Sequence, residues 1–142
     1  MVVKKKKKTR SKLIKELDAI FSRYIRLLYA DKKWMVMCYT CWKKEHWKKA
    51  QNGHFISRKY LISRRDVENC RVQCVWCNIF KSWNYIEYTR KMIDEKWREF
   101  VEHLVKQKKK IYKIKTYELE EMIKEYKEKV EKLLIEKGIK DK

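Results

Sequence analysis

The sequence predicts a mostly helical α+β protein, with a short metal-stapled segment between long N- and C-terminal helices. Three observations carry that expectation. The 142 residues contain no proline and two glycines, Gly53 and Gly138, too few for a sandwich or barrel with many tight turns. Apolar residues recur at spacings of three and four near both ends of the chain. Between those ends, four of the five cysteines form two Cys-x-x-Cys pairs, a usage that favours a metal site over disulfides in a reducing cytosol.

The elements follow in order. Residues 1–10 read as a basic, disordered tail, dominated by Lys4 to Lys8. Leu13, Leu17, Ile20, Phe21, Tyr24 and Leu28 make one apolar face of a helix within residues 11–33, with Ser11 as its N-cap. Residues 34–90 form the core segment. Over 34–60 the helical period is lost, and short strands or loops are expected around a metal. Asn69 to Gln73 leads to the second cysteine pair, and a helix is expected to begin near Cys77 or Asn78. Residues 86–106 read as one helix with Ile86, Ile93, Trp97, Phe100, Val101 and Leu104 inward, within a C-terminal helical region of residues 91–142. The last helix starts near Thr116. Its Leu119, Ile123, Tyr126, Val130 and Leu133 form a heptad-like seam, flanked by Glu–Lys pairs such as Glu125–Lys129. Two repeats fit packing on the chain's own core and pairing between subunits about equally, and a dimer is expected to pair through helices that include this seam.

Charge narrows the function. Lys and Arg number 39 against 19 Asp and Glu, a formal net charge of +20. That excess excludes an ordinary enzyme of neutral metabolites and points to a polyanion. It is concentrated: residues 1–85 carry 22 basic and 6 acidic side chains, a net of +16. Six Trp, nine Tyr and four Phe argue against a wholly disordered basic chain. No apolar run approaches the roughly 18 residues that would span a bilayer, and no apolar stretch of signal-peptide length follows the basic start. A cytoplasmic protein without a membrane partner is expected.

Cys38, Cys41, Cys74 and Cys77 supply four thiolates, the donor set of a closed structural Zn²⁺ site. Cys70 lies outside both pairs and reads as a small buried side chain. The residues able to carry chemistry sit beside the pairs: His54 in Asn52-Gly53-His54-Phe55, Asn69 before the second pair, and Asn78 directly after Cys77. A histidine with a pKa near ~6.5 can take a proton from water at neutral pH, with activity falling below about pH 6. A hard divalent cation on oxygen ligands can stabilise charge growing on a phosphate. Arg58, Lys59, Arg64, Arg65, Arg71 and Lys81 read as phosphate contacts. Trp34, Trp42, Trp47, Trp76 and Trp83 are expected mostly in the core. His46 and His103 have no comparable setting.

A histidine, an asparagine and a polar residue at a helix start beside Cys-x-x-Cys is the layout of the HNH, or ββα-metal, nucleases. The stretch from about Ser11 to Ile93 resembles the NinG/Rap family of phage recombination proteins. The resemblance is carried by Cys38-Tyr-Thr-Cys41, Gly53-His54-Phe55-Ile56-Ser57-Arg58, Arg65-Asp66 with Asn69, and Gln73-Cys74-x-x-Cys77-Asn78 with Lys81. Leu17-Asp-Ala-Ile-Phe-Ser-Arg-Tyr-Ile-Arg26, Asn84 and Glu87-Tyr88 add to it. The resemblance implies a zinc-stapled ββα-metal core and an endonuclease cutting branched DNA such as Holliday junctions, working as a homodimer in the host cytoplasm. The arrangement is also similar to phage endonuclease VII. On that likeness His54 activates water, Asn78 helps hold Mg²⁺ or Mn²⁺, and Asn69 braces the loop that orients His54. Gly53 stands where endonuclease VII has a metal-binding aspartate, so Asn52, Asp66 or Glu87 would complete the shell. Trp42 and Trp83 stand where NinG-like sequences often have glycine, so different turns are expected there. Two other readings stay open: a non-catalytic zinc-stapled DNA-binding accessory, and an HNH nuclease that cuts ordinary duplex.

Overall fold

Thr9 stops the chain from entering the first helix earlier: its hydroxyl accepts from the Lys12 amide at 3.2 Å and caps α1, Arg10–Leu28. The N-cap is therefore Thr9, not Ser11. The computed structural model describes residues 6–140. Residues 6–9 have no regular structure, and the rest of the expected basic tail, residues 1–5, lies outside the described residues.

Leu13, Leu17, Phe21 and Ile25 fall four apart on α1 and are buried. The face they meet is α5, Thr116–Lys137, whose buried residues are Leu119, Ile123, Tyr126 and Val130. Phe21 meets Tyr126 edge-on at 5.2 Å. The heptad-like seam is thus filled by the chain's own first helix. Polar ties fix the register. Glu16 bonds both Lys8 (2.7 Å) and Lys127 (2.9 Å). Lys137 donates to the carbonyls of Leu27, Leu28 and Ala30, neutralising the negative C-terminal end of α1.

The central segment forms two antiparallel hairpins. β1 (Met35–Met37) pairs with β2 (Lys44–His46), and β3 (Gln51–His54) pairs with β4 (Cys70–Gln73). A short helix α2, Leu61–Arg64, and a 3-10 turn, Val67–Asn69, lie in the long loop between β3 and β4. Side chains alternate across a strand. One face of the β3–β4 ladder, with Cys70 and Val72, joins the α1–α5 core. The other receives α3, Tyr85–Lys96: there Tyr88 donates to the Gly53 carbonyl at 2.8 Å and Arg71 bonds Glu95 at 3.2 Å.

Two expected helices are broken. The one near Cys77 is a single π-helical turn, Trp76–Phe80, because Ser82, Trp83 and Asn84 all take positive φ. The one over 86–106 divides at Trp97 (φ 73°, ψ 156°) into α3 and α4, Arg98–Gln107. The break changes the helical phase. Tyr88, Met92, Val101 and Leu104 join Phe55 and Ile56 in a second core, while Ile86 and Trp97, expected inside, are 80% and 77% exposed. Of the tryptophans expected in the core, Trp47 is buried, whereas Trp34, Trp42 and Trp76 are exposed. Among the described residues no helix is long and apolar enough to cross a membrane.

Candidate functional site

The tip of the β1–β2 hairpin carries Cys38 and Cys41, and the end of β4 carries Cys74 and Cys77. The Tyr39 amide donates to the Val72 carbonyl at 2.8 Å, tying the two together. Their four Sγ atoms lie within 4.8 Å of one another, and Cys41 and Cys74 are 3.7 Å apart. That spacing is far beyond a disulfide bond. It matches the edge of about 3.8 Å of a tetrahedron with metal–sulfur bonds of ~2.3 Å. Donors of the kind thiolates need are in place: the Cys77 amide meets Cys74 Sγ at 3.4 Å, and Asn84 Nδ2 meets Cys77 Sγ at 3.8 Å. The four cysteines can hold a metal ion, and the donor set is that of structural zinc. Cys70 is fully buried and outside the cluster.

Trp42 and Trp83 sit at φ 67° and 55°. This is the left-handed region that glycine adopts without strain. The turns expected to differ there keep the glycine-like backbone, with tryptophan bearing the strain.

The zinc-type knuckle places Asn78 beside β3. A pocket of about 530 Å³ opens between α1, β3 and the π-helical turn, lined by Asp18, Arg26, Gln51, Asn52, His54, Arg58, Asn78 and others. Asn52 and His54 are two apart on β3 and share its α1-facing side. Gly53 faces away. A Cβ at Gly53 would stand 2.1 Å from Gln73 Oε1, so an aspartate there would clash with a buried side chain that also bonds Thr40 and the Trp83 carbonyl. Any side chain at Gly53 therefore requires Gln73 to move.

His54 Nε2 meets the Arg64 carbonyl at 2.8 Å. A carbonyl only accepts, so Nε2 carries the proton and Nδ1 keeps its lone pair. Burial pushes the His54 pKa down to about 4, with the Arg58 and Arg64 charges adding to it against the Arg64 carbonyl and Asp18. The ring is a neutral base across the physiological range, and the onset of protonation expected at about pH 6 moves lower.

The Arg64 carbonyl is itself held from two sides. Asn69, fully buried, accepts from the Ile56 amide (2.7 Å) and donates to the carbonyls of Ile56 and Ser63 (3.1 Å each). These side-chain hydrogen bonds to Ile56 and Ser63 close the loop that carries His54's acceptor. On the other side Asp18 of α1 binds Arg65 Nε at 2.9 Å, Arg64 closely, and Arg58 at 3.5 Å. Sequence reasoning missed Asp18. Its signals were its place in the family-like stretch Leu17 to Arg26 and an acid on α1 within a strongly basic half of the chain.

Asn78 donates its Nδ2 to Gln51 Oε1 at 2.8 Å, leaving Oδ1 as the atom not spent on that bond. Asn52 Oδ1 is buried without a hydrogen-bond partner. These two amide oxygens suit a hard cation, which can complete its shell with water and phosphate oxygens. The carboxylate that lines the pocket, Asp18, is spent on Arg58, Arg64 and Arg65, so these amide oxygens are the oxygen donors left for such a cation. Asp66 and Glu87, the other expected ligands, are placed elsewhere: neither lines the pocket. Asp66 caps the 3-10 turn by accepting from the Glu68 amide, and Glu87 pairs with Arg90 at 2.7 Å.

The expected phosphate contacts divide by exposure. Arg58, Lys59 and Lys81 are exposed, and Arg58 stands at the pocket. Arg71 is a correction. Its side chain is 3% exposed and is used up on Glu95 and the carbonyls of Val67, Glu68 and Cys70, so no phosphate reaches it. Arg65, at 7% side-chain exposure, and Arg64, at 19%, likewise serve Asp18. Arg26, named in the family-like stretch but not among the expected phosphate contacts, lines the pocket.

The family model described as Bacteriophage Lambda NinG protein matches residues 1–136. No curated protein and no solved structure matches the chain.

Proposed function

The chain belongs to the bacteriophage lambda NinG protein family, and from that premise we propose that it is a metal-dependent DNA endonuclease of phage recombination that cuts branched DNA such as Holliday junctions. The observation that carries the reading is the His54 ring: neutral, with Nε2–H fixed on the Arg64 carbonyl, in a pocket shared with Asn52, Asn78 and two arginines.

The scissile phosphate enters between α1 and β3, where Arg26 and Arg58 attract its charge. His54 Nδ1 takes a proton from the attacking water as the water's oxygen bonds to phosphorus and the P–O bond to the leaving strand breaks. Asn69 and Asp18 keep the ring aimed by holding the Arg64 carbonyl. Asn78 and Asn52 would hold a hard divalent cation by their amide oxygens, and bound there it supplies neutralisation of negative charge at the phosphate. Binding itself comes from the basic surface and weakens steeply with salt. Symmetric cutting of a four-way junction needs two facing sites and therefore a C₂ dimer, whose interface lies outside the α1–α5 seam.

The test offers the zinc-loaded protein a four-way junction, a matched duplex and single strands, each with Mg²⁺ and with Mg²⁺ omitted. Omission is preferable to a strong chelator, which also strips thiolate-bound zinc. Paired cuts in the junction that require Mg²⁺ are expected. Equal cutting of the duplex would remove branch selectivity, and binding without any cutting would favour an accessory role.

A further inference from the structure

The turn that delivers Asn78 to the pocket leaves its other large side chains in solvent: Trp76 is 58% exposed, Ile79 56% and Phe80 69%. Residues four apart on a helical turn are neighbours, and the rings of Trp76 and Phe80 lie 5.5 Å apart at 34°. Two aromatics and an isoleucine held in water on one turn contribute little to folding and mark a contact surface. Ile79 lines the His54 pocket, so whatever occupies that pocket passes beside these rings. The surroundings are cationic, with Arg58 in the same pocket and Lys81 next in the chain. A second copy of this chain would bring its own +16 half against that surface. A partner combining negative charge with flat apolar faces meets both requirements, and nucleic acid bases have those faces.

The geometry points to Trp76 and Phe80 as a stacking platform for the open face of a base at a DNA branch point, beside the scissile phosphate. This rests on the nuclease reading of the pocket and deepens it by giving branch selectivity a physical source. In a matched duplex every base face is covered, and uncovering one costs a few kcal/mol. At a branch the faces are already open, so stacking on the platform is gained without that cost. Base–aromatic stacking is sequence-tolerant, since every base has a π-face.

The test uses full-length His54→Ala, which is expected to bind without cutting, with a four-way junction and a matched duplex at one salt concentration. Combining Trp76→Ala with Phe80→Ala should lower the junction-to-duplex affinity ratio about tenfold or more. Duplex affinity and zinc content should stay unchanged, and Trp76→Phe should restore most of the preference. 5-Iodouracil at the branch point should crosslink to Trp76 or Phe80, and the same base inside a duplex should not. An unchanged affinity ratio, or crosslinks mapping to other residues, overturns the platform. So does a fall in oligomeric mass of the variant without DNA, which would mean a second copy covers the patch. Because the readout is binding, junction preference can be seen even if the wild type fails to cut, so failure of the nuclease reading and failure of the platform are distinguishable. No binding to any DNA overturns both.

Discussion

Removing the Asn69 side chain should uncouple the His54 acceptor from the rest of the fold. Asn69→Ala deletes three buried hydrogen bonds, at 2.7, 3.1 and 3.1 Å. It leaves the Ile56 amide and carbonyl unpaired in a fully buried site, while the Ser63 carbonyl keeps the Asp66 amide at 3.2 Å. Each unsatisfied group costs about 1–3 kcal/mol. Carbonyls are the more tolerant, so the sum for the two groups is about 2–4 kcal/mol. Domains of this size are stable by about 5–15 kcal/mol, so the zinc-loaded variant should still fold, and urea denaturation reads the loss. In the folded fraction the Ser63–Arg64 turn keeps its Asp18 and backbone ties but loses its link to Ile56, so the acceptor of the His54 ring is held from one side only. A misplacement of about 1 Å can cost roughly 10²-fold in rate, and single-turnover junction cleavage under native conditions should fall by that order. Asn69→Asp retains the acceptor for the Ile56 amide but sets a carboxylate against two carbonyls, so it should not rescue. A stability loss below about 1 kcal/mol, or an unchanged cleavage rate in the folded protein, would refute the bracing role.

Metal analysis should find one zinc per chain, and replacing Cys74 with Ser should unfold the central hairpins, read by near-ultraviolet circular dichroism, because thiolate binding supplies folding free energy. Folded protein without zinc would contradict this. His54 has a folded pKa of about 4 against about 6.5 unfolded, so between those values the unfolded state holds more protons and stability falls as pH drops. The loss is on the order of 2–3 kcal/mol by pH 4, and in Mg²⁺-free buffer His54→Gln should flatten the slope relative to wild type. Combining Ile123→Glu with Val130→Glu buries two charges against α1 and should lower the melting temperature sharply; a stable protein changed only in oligomeric mass would place that seam between subunits.

The local motifs were legible because their spacing is short. Cys-x-x-Cys, the histidine near β3's end and the asparagine after the last cysteine each imply a position within a few residues of a turn or strand end. Asn69's bonds to Ile56 and Ser63 are the geometry on which its bracing role is proposed. What was not legible depends on distant pairing. Asp18 and Arg64 are 46 residues apart, and nothing in their spacing says that they meet. Arg71 has the chemistry of a phosphate contact, yet the alternation of β4 turns it onto α3 and Glu95. The helix breaks at residues 82–84 and 97 occur without glycine or proline, and apart from Asn84 at residues whose side chains disfavour positive φ. Sequence periodicity therefore ran through them, and Ile86 and Trp97 were placed inside.

On the proposed mechanism His54 is the base that activates the water attacking the DNA strand. The most direct test of that role is single-turnover cleavage of a four-way junction by His54→Ala beside the wild type, at pH 7.5 with Mg²⁺, with junction affinity measured on both. The pH and metal are those at which the neutral ring is expected to act. The predicted result is cleavage reduced by about 10²-fold or more with affinity nearly intact. Cleavage at a comparable rate by the variant would contradict it.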